Sequence, residues 1–282
     1  MLTWLKQTPI AHRGYHNSEI VENTLEAFEN AIKHNYNIEL DLQLSKDGQI
    51  VIMHDLNLKR LTGINKKVRD LNYDELKQIK LGKNEQHIPL FKDVLSLVDG
   101  KINLVIELKN INYRLNKKLV DKTLEILNDY KGVFVLQSFN PFIVKRIRKL
   151  RPDLPRGQLV GEYKGIPFPM NYLMKHMYTN IFSKPQFIDM GINLNVKQIN
   201  KYIGKIPVIS YTAKNEQDYV KYMNKYDNVI FEGFKPDNIL SKSFLKNKQL
   251  WYDTTIKVIG GIYLWIILNQ KKNLTKQLVK EM

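Results

Sequence analysis

Ile38-Glu39-Leu40-Asp41-Leu42-Gln43-Leu44-Ser45-Lys46-Asp47-Gly48-Gln49-Ile50-Val51-Ile52-Met53-His54 is the stretch whose reading decides the architecture. Its first five residues alternate apolar and acidic. Side chains two apart on a strand face the same side. Glu39 and Asp41 therefore point together, while Ile38, Leu40 and Leu42 point the other way into an apolar layer. Two like carboxylates side by side repel unless something positive lies between them. An isolated acid pair of this spacing is ordinarily a solvated strand face. Here both acids have large apolar neighbours, which points to a strand buried on one side and to a cation site. Asp47-Gly48 is a strong hairpin signal. A two-residue turn there would pair Leu44 with Val51, Gln43 with Ile52 and Leu42 with Met53. Asp41 would then lie opposite His54, with Cβ atoms about 5 Å apart. This register predicts that the hairpin folds His54 back onto the carboxylate pair.

Upstream, His12 ends the short run Pro9-Ile10-Ala11, Arg13 follows it, and Gly14 permits a sharp turn. Asn23-Thr24-Leu25-Glu26 opens a helix with a capping-box-like pattern, and Ala27, Phe28, Ala31 and Ile32 form its buried stripe. Strand, loop and helix thus follow in order, with His12 and Arg13 at the C-terminal end of the strand. Downstream, residues 102–109 read as a strand with Glu107 and Lys109 on one face. A surface salt bridge would explain that pair. The apolar run before Glu107 instead suits a buried parallel strand.

Strands are expected at 9–12, 38–42, 102–109, 133–138, 156–160, 187–192, 207–211 and 229–232. Helical patterns lie between most of them, such as Leu115, Leu119, Val120, Thr123, Leu124 and Leu127. Eight strands alternating with helices predict an α/β fold, a (β/α)8 TIM-type barrel with its site at the C-terminal strand ends. Segment 56–92 is too rich in signals for a plain loop: Asn72-Tyr73-Asp74-Glu75 starts a second helix and Gly82 stops it. It reads as a small insertion over the barrel mouth, within a barrel domain spanning 1–248.

The chain has 282 residues, enough for one or two domains, and no cysteine, so neither a disulfide framework nor thiolate chemistry is available. Met1 to Lys6 is too short before the first strand for a signal peptide, so the expected location is cytoplasmic. The 44 Lys plus Arg against 28 Asp plus Glu give a net charge of +16. That balance suits nucleic acid, an anionic membrane or phosphate-bearing substrates; a chain-wide bias towards Lys, Asn and Ile would also produce it. No helix-turn-helix, RNA-binding aromatic motif or zinc pattern is present, so no nucleic-acid partner is expected.

Residues 249–282 form a separate tail. Trp251-Tyr252 is followed by the uncharged run Val258 to Leu268, with Trp265 inside it, and then by Lys271, Lys272, Lys276 and Lys280. Such a run is too short for a bilayer span, which needs roughly 20 residues. It suits a peripheral segment at an anionic membrane surface, with a helix packed on the barrel or a dimer contact as the alternative.

Taken together, His12-Arg13-Gly14, Glu22-Asn23-Thr24, Glu39-x-Asp41, Asp47-Gly48, His54-Asp55, Arg60-Leu61-Thr62-Gly63, Glu107-Leu108-Lys109 and Gln137-Ser138-Phe139 resemble the glycerophosphodiester phosphodiesterase family over roughly residues 8–245. The resemblance implies a metal-dependent (β/α)8 barrel with an insertion after the second histidine. Carried over by position, it implies that Glu39, Asp41 and Glu107 hold one divalent cation. It makes His12 and His54 the acid/base pair, and Arg13 and Lys109 the phosphate ligands. An all-oxygen ligand set suits Mg2+ or Ca2+ better than zinc. The implied reaction is hydrolysis of a small-molecule glycerophosphodiester to glycerol 3-phosphate and an alcohol. The alternatives are phospholipase-D-like cleavage of a lysophospholipid or sphingomyelin, and an inactive barrel serving as a membrane or partner module. Two departures bear on the alcohol side of the pocket. Tyr211-Thr212 stands where the family often has Trp-Thr. Phe231-Glu232-Gly233-Phe234-Lys235-Pro236-Asp237 carries one residue more than the usual Thr-Asp-x-Pro-Asp ending.

Overall fold

The computed structural model describes residues 2–82 and 85–236. Eight parallel strands run in sequence order: β1 (Ile10–Ala11), β2 (Asn37–Leu44), β3 (Leu104–Leu108), β4 (Phe134–Ser138), β5 (Arg156–Val160), β6 (Phe187–Gly191), β7 (Val208–Ala213) and β8 (Asn228–Phe231). β1 pairs with both β2 and β8, so the sheet closes into the expected barrel. The tail 249–282 lies outside the described residues. Among the described residues no helix is long and apolar enough to cross a membrane.

Helices α1 (Leu25–Lys33), α2 (Phe91–Val98), α3 (Tyr113–Leu127), α4 (Pro141–Leu150) and α7 (Glu216–Met223) cover the outside. The β5–β6 connection carries two short ones, α5 (Met170–Lys175) and α6 (Asn180–Ser183). The β6–β7 connection has only a 3-10 turn, Lys197–Lys201. The Thr24 hydroxyl caps α1 by accepting from the Ala27 N–H, and Glu26 sits in the first turn without closing a capping box. A full capping box forms instead at Asn72 and Glu75, at the head of the short helix Tyr73–Leu76.

The hairpin strand Ile50–Ile52 pairs antiparallel with β2, one residue out of the expected register: Leu42 faces Ile52, Gln43 faces Val51 and Leu44 faces Ile50. The turn holds three residues. The Gly48 N–H donates to the Ser45 carbonyl at 3.0 Å, the Ser45 N–H donates to the Gln49 carbonyl at 3.0 Å, and Gly48 takes φ +82°. Glycine thus supplies the left-handed residue of a three-residue loop. The Ser45 hydroxyl completes the loop by accepting the Gln49 N–H at 2.8 Å. Asp41 consequently lies beside Met53, whose N–H donates to the Asp41 carbonyl at 3.0 Å. After the hairpin, the chain up to Ile88 builds a lobe around Val51, Met53, Leu58, Val68, Leu71, Leu76, Leu81 and Ile88.

Strand alternation layers the barrel interior. Leu5, Ile10, Val105, Val135, Phe187, Ile209 and Ile230 form an apolar floor. Gly157 belongs to this layer because a Cβ there would collide with the Phe187 ring. Two residues further along several strands the inward positions turn polar, giving Glu107, Gln137 and Asp189, all buried. Asp189 is fully buried and both its oxygens lack a hydrogen-bond partner. Burial pushes its carboxyl up to about 8, with the Gln137 amide pulling the other way and the Glu107 charge adding to the rise. The native state then holds a proton that the unfolded chain releases near pH 4. Stability should therefore fall as pH rises from about 4 to 8, by on the order of 1.4 kcal/mol per unit from this group. Asp189→Asn is expected to flatten that slope. Urea midpoints at pH 5 and pH 8 measure it, and an unchanged slope would mean Asp189 is ionised in the fold.

Candidate active site

The β1–α1 loop is built around two left-handed residues. Arg13 has φ 56° and Asn23 φ 58°, and the Asn23 N–H donates to the Arg13 carbonyl at 2.8 Å. Each such residue costs about 1–3 kcal/mol and persists only where the surroundings hold it. Both are held by the acids of β2. The Arg13 N–H donates to Glu39 Oε2 at 3.1 Å, and Asn23 Nδ2 donates to Asp41 Oδ2 at 2.8 Å. Gly14, at φ +78°, is demanded by space as well, since a Cβ would lie 2.9 Å from the Ala27 backbone.

β2 and β3 are aligned so that Asp41 is level with Glu107. Oxygens of Glu39, Asp41 and Glu107 all lie within 4.8 Å of one another, and all three residues are buried. Lys109 Nζ sits against this group, 2.9 Å from Glu107 Oε1 and 3.2 Å from Asp41 Oδ1. Arg13 Nε is 3.6 Å from Asp41 Oδ2. The acids divide electrostatically. Burial would raise Asp41, but Lys109, His54, Arg13 and the Asn23 hydrogen bond together hold it below the usual carboxylate range. Burial and the neighbouring Asp41 and Glu107 charges push Glu39 well up. Glu107 is raised to about 7, chiefly by burial, with Lys109 opposing. Three buried acids with two nearby cations are short of positive charge, and their hard oxygen donors fit a divalent cation.

The two histidines share one design. His12 Nδ1 is 2.7 Å from Glu232 Oε2, and His54 Nδ1 is 2.7 Å from Asp55 Oδ1. A carboxylate only accepts, so each Nδ1 carries the proton and each neutral ring keeps Nε2 as an acceptor. His12 Nε2 lies 4.0 Å from Glu39 Oε2. Burial lowers both histidines; for His12 the Glu232 bond opposes this, and for His54 the Asp41 charge does. His12 and His54 both line a cavity of about 310 Å³ together with Arg13, Glu39 and Glu107. Lys109, by contrast, is turned onto the acids. Phe139, Leu159, Tyr211 and Ile230 give the cavity an apolar wall.

Several contributors escape local sequence reading. Gln43, the third inward residue of β2, donates through Nε2 to the carbonyls of Met53, His54 and Asp55 at 2.7, 3.2 and 2.8 Å. That clamp delivers His54 despite the shifted hairpin register; the inward alternation of Glu39, Asp41 and Gln43 was its only sequence signal. An ion-pair chain links the two histidine-bearing loops. Glu22 takes Arg13 at 2.7 Å and Arg60 at 2.6 Å, and Arg60 also meets Asp55, the partner of His54. Glu232 lies 220 residues from His12 and is also reached by Lys214 at 3.4 Å. Only its departure from the expected strand ending marked it. The His12 bond holds the Glu232 carboxyl down at about 2.

A family model described as the glycerophosphoryl diester phosphodiesterase family matches residues 12–238. A glycerophosphodiester phosphodiesterase from Caldanaerobacter subterraneus subsp. tengcongensis is 33% identical over 165 residues, 55% of this chain and 67% of that protein. Lysophospholipase D GDPD1 of Mus musculus is 34% identical over 162 residues, covering 52% of this chain and 49% of its own length. The chain spans between about half and two thirds of the length of such curated relatives, for example 66% of a Bacillus subtilis protein. Among solved structures, a glycerophosphodiester phosphodiesterase from Thermotoga maritima superposes with a TM-score of 0.64 at 28% identity, covering 80% of this chain and 94% of that one. A phosphodiesterase from Oleispira antarctica, solved with the product sn-glycerol-3-phosphate, shares the fold with a TM-score of 0.68 at 24% identity, covering 80% and 93% of the two chains. With the family model matched from His12 to the end of the described barrel, this chain belongs to the glycerophosphoryl diester phosphodiesterase family.

Proposed function

We propose that this barrel hydrolyses glycerophosphodiesters to glycerol 3-phosphate and an alcohol, using one divalent cation, Mg2+ or Ca2+, on Glu39, Asp41 and Glu107. The observation that carries the reading is the pair of carboxylate-backed histidines lining one cavity with a buried triple-carboxylate cluster. When bound, the cation would polarise the phosphoryl oxygen and offset the negative charge that builds on attack. The chain's own residues supply the rest. Arg13, anchored by Glu22, presents a guanidinium beside the cluster for the phosphate. Lys109 lies on Asp41 and Glu107, so its part in phosphate binding is to complete the positive lining of the cluster. One of His12 and His54 accepts at Nε2 the proton of the nucleophile, either water or a substrate hydroxyl whose cyclic ester water then opens, and the other donates one to the departing alkoxide. Each such transfer is typically worth about 10²–10⁴ in rate.

Glu232 acts in this scheme as a positioning residue for His12. Glu232→Gln can still accept a hydrogen bond but loses the charge that favours protonated His12. It is expected to lower kcat about 10-fold or more while leaving KM nearly unchanged. An unchanged kcat would make the 2.7 Å contact structural only.

The apolar wall around Phe139 and Tyr211, and the lysophospholipase D relatives, favour a second substrate class for the same site, the lysophospholipids. Parallel incubation with glycerophosphocholine and lysophosphatidylcholine tests both. Glycerol 3-phosphate from the first supports the primary reading. Lysophosphatidic acid from the second alone would shift it to the lipid substrate. No product from either would leave an inactive barrel.

A further inference from the structure

We propose that the rim of the barrel formed by the β3–α3, β4–α4 and β5–β6 connections is a docking face for an anionic lipid surface, independent of the C-terminal tail. Among the described residues, the four most exposed large apolar side chains are Tyr113 at 86%, Ile181 at 81%, Phe168 at 78% and Phe142 at 52%. All four fall in these three consecutive connections. Tyr113 and Phe142 open α3 and α4, and Phe168 precedes α5, so these three follow on the C-terminal ends of β3, β4 and β5, the end of the barrel that carries His12, Lys109 and Glu232. Tyr113 and Phe168 stand largely clear of the barrel's own packing, and a concentration of such side chains at one end is not what scattered surface residues produce.

The rim is also basic. A groove of about 410 Å³ between α3 and α4 runs from Asn110 and Tyr113 past Phe142, and its charged lining is Lys117, Lys145, Arg146 and Lys149 without a carboxylate. Arg146 is bound by Asp121 at 2.6 Å, which leaves three lysines for an outside anion. Lys145 lies over the Phe182 ring at 5.4 Å, and Phe182 stacks on Phe142 at 5.4 Å. Aromatic bodies with cationic heads beside them are the composition that settles at the headgroup level of a bilayer. The charge sign selects anionic lipid over neutral lipid, and exposed side chains spread over three connections suit a fluid surface better than a shape-complementary protein partner.

The absence of cysteine makes the test direct. Phe168→Cys in the full-length chain carries an environment-sensitive fluorophore on the rim. Val133→Cys, 50% exposed at the opposite end beside the start of β4, carries the control. With vesicles of phosphatidylglycerol and phosphatidylcholine, the Phe168 label should shift to the blue and be quenched by lipid-borne nitroxide, and the Val133 label should not. The triple variant Tyr113→Ser, Phe142→Ser, Phe168→Ser should weaken vesicle partitioning at least about 10-fold, as should Lys117→Gln, Lys145→Gln, Lys149→Gln. Both should keep normal turnover of a water-soluble diester. Vesicle binding with an unquenched Phe168 label would assign attachment to the tail and overturn the proposal. Equal binding to pure phosphatidylcholine would overturn the charge argument. A concentration-dependent blue shift without lipid would make the rim a contact between copies of this chain.

Discussion

His12→Ala and His54→Ala are each expected to reduce kcat by at least about 100-fold, with the thermal midpoint little changed. Both rings are held from behind by a carboxylate at 2.7 Å and both line the cavity. In the proposed scheme, removing either ring deletes a proton-transfer group without opening the apolar floor, which lies deeper in the barrel. The pH dependence follows from the shifts. Burial lowers both histidines, so both are neutral in the free protein at neutral pH. The required ionisation state, one neutral and one protonated ring, then has to be reached with substrate bound. Steady-state kinetics on glycerophosphocholine across pH 5–9 give the readout. Near-normal turnover in either variant would make that histidine a structural residue and remove the acid/base pairing.

The second large effect is expected from Asp41→Asn. Asp41 is level with Glu107, accepts from Asn23, and is held ionised by Lys109 and Arg13. In the proposed site, replacing it removes one of the three carboxylate ligands of the cation and leaves Lys109 facing Glu107 alone. Cation affinity, followed by calorimetry or Mn2+ resonance titration, should fall at least about 100-fold, with kcat/KM falling at least as far. In the cation-free protein the same change should destabilise the fold at neutral pH, because Lys109 and Arg13 hold Asp41 below the usual carboxylate range and would lose that partner. A variant that binds the cation normally would remove Asp41 from the ligand set.

The barrel and most of this centre were legible because their signals are local. The alternation of Glu39 and Asp41 with Ile38, Leu40 and Leu42 survives as an inward acidic face and an outward apolar one. The apolar run before Glu107 is buried throughout β3. The hairpin carries the same kind of signal, but its register lies one residue from the expected one. Asp47-Gly48 is compatible with two loop lengths, and the Ser45 side chain, whose hydroxyl accepts the Gln49 N–H at 2.8 Å, completes the longer one. A one-residue slip exchanges strand faces. His54 nevertheless reaches the site because it lies beyond the hairpin strand, where the Gln43 amide and not strand pairing sets the backbone. Glu232 and Asp189 were not legible for a different reason. Their roles come from barrel closure, which brings β8 against β1 across 220 residues and turns Asp189 towards the buried end of the cavity. Nothing in a window of ten residues carries that information.

The most direct test of the account is glycerol 3-phosphate release from glycerophosphocholine by protein stripped of divalent ions with a chelator, before and after Mg2+ or Ca2+ is restored. The stripped protein is expected to release no product above the uncatalysed background. Activity should return with one equivalent of bound cation in the wild type, and should not return in Asp41→Asn. Full turnover by the exhaustively stripped protein would contradict the assignment of Glu39, Asp41 and Glu107 as the cation site.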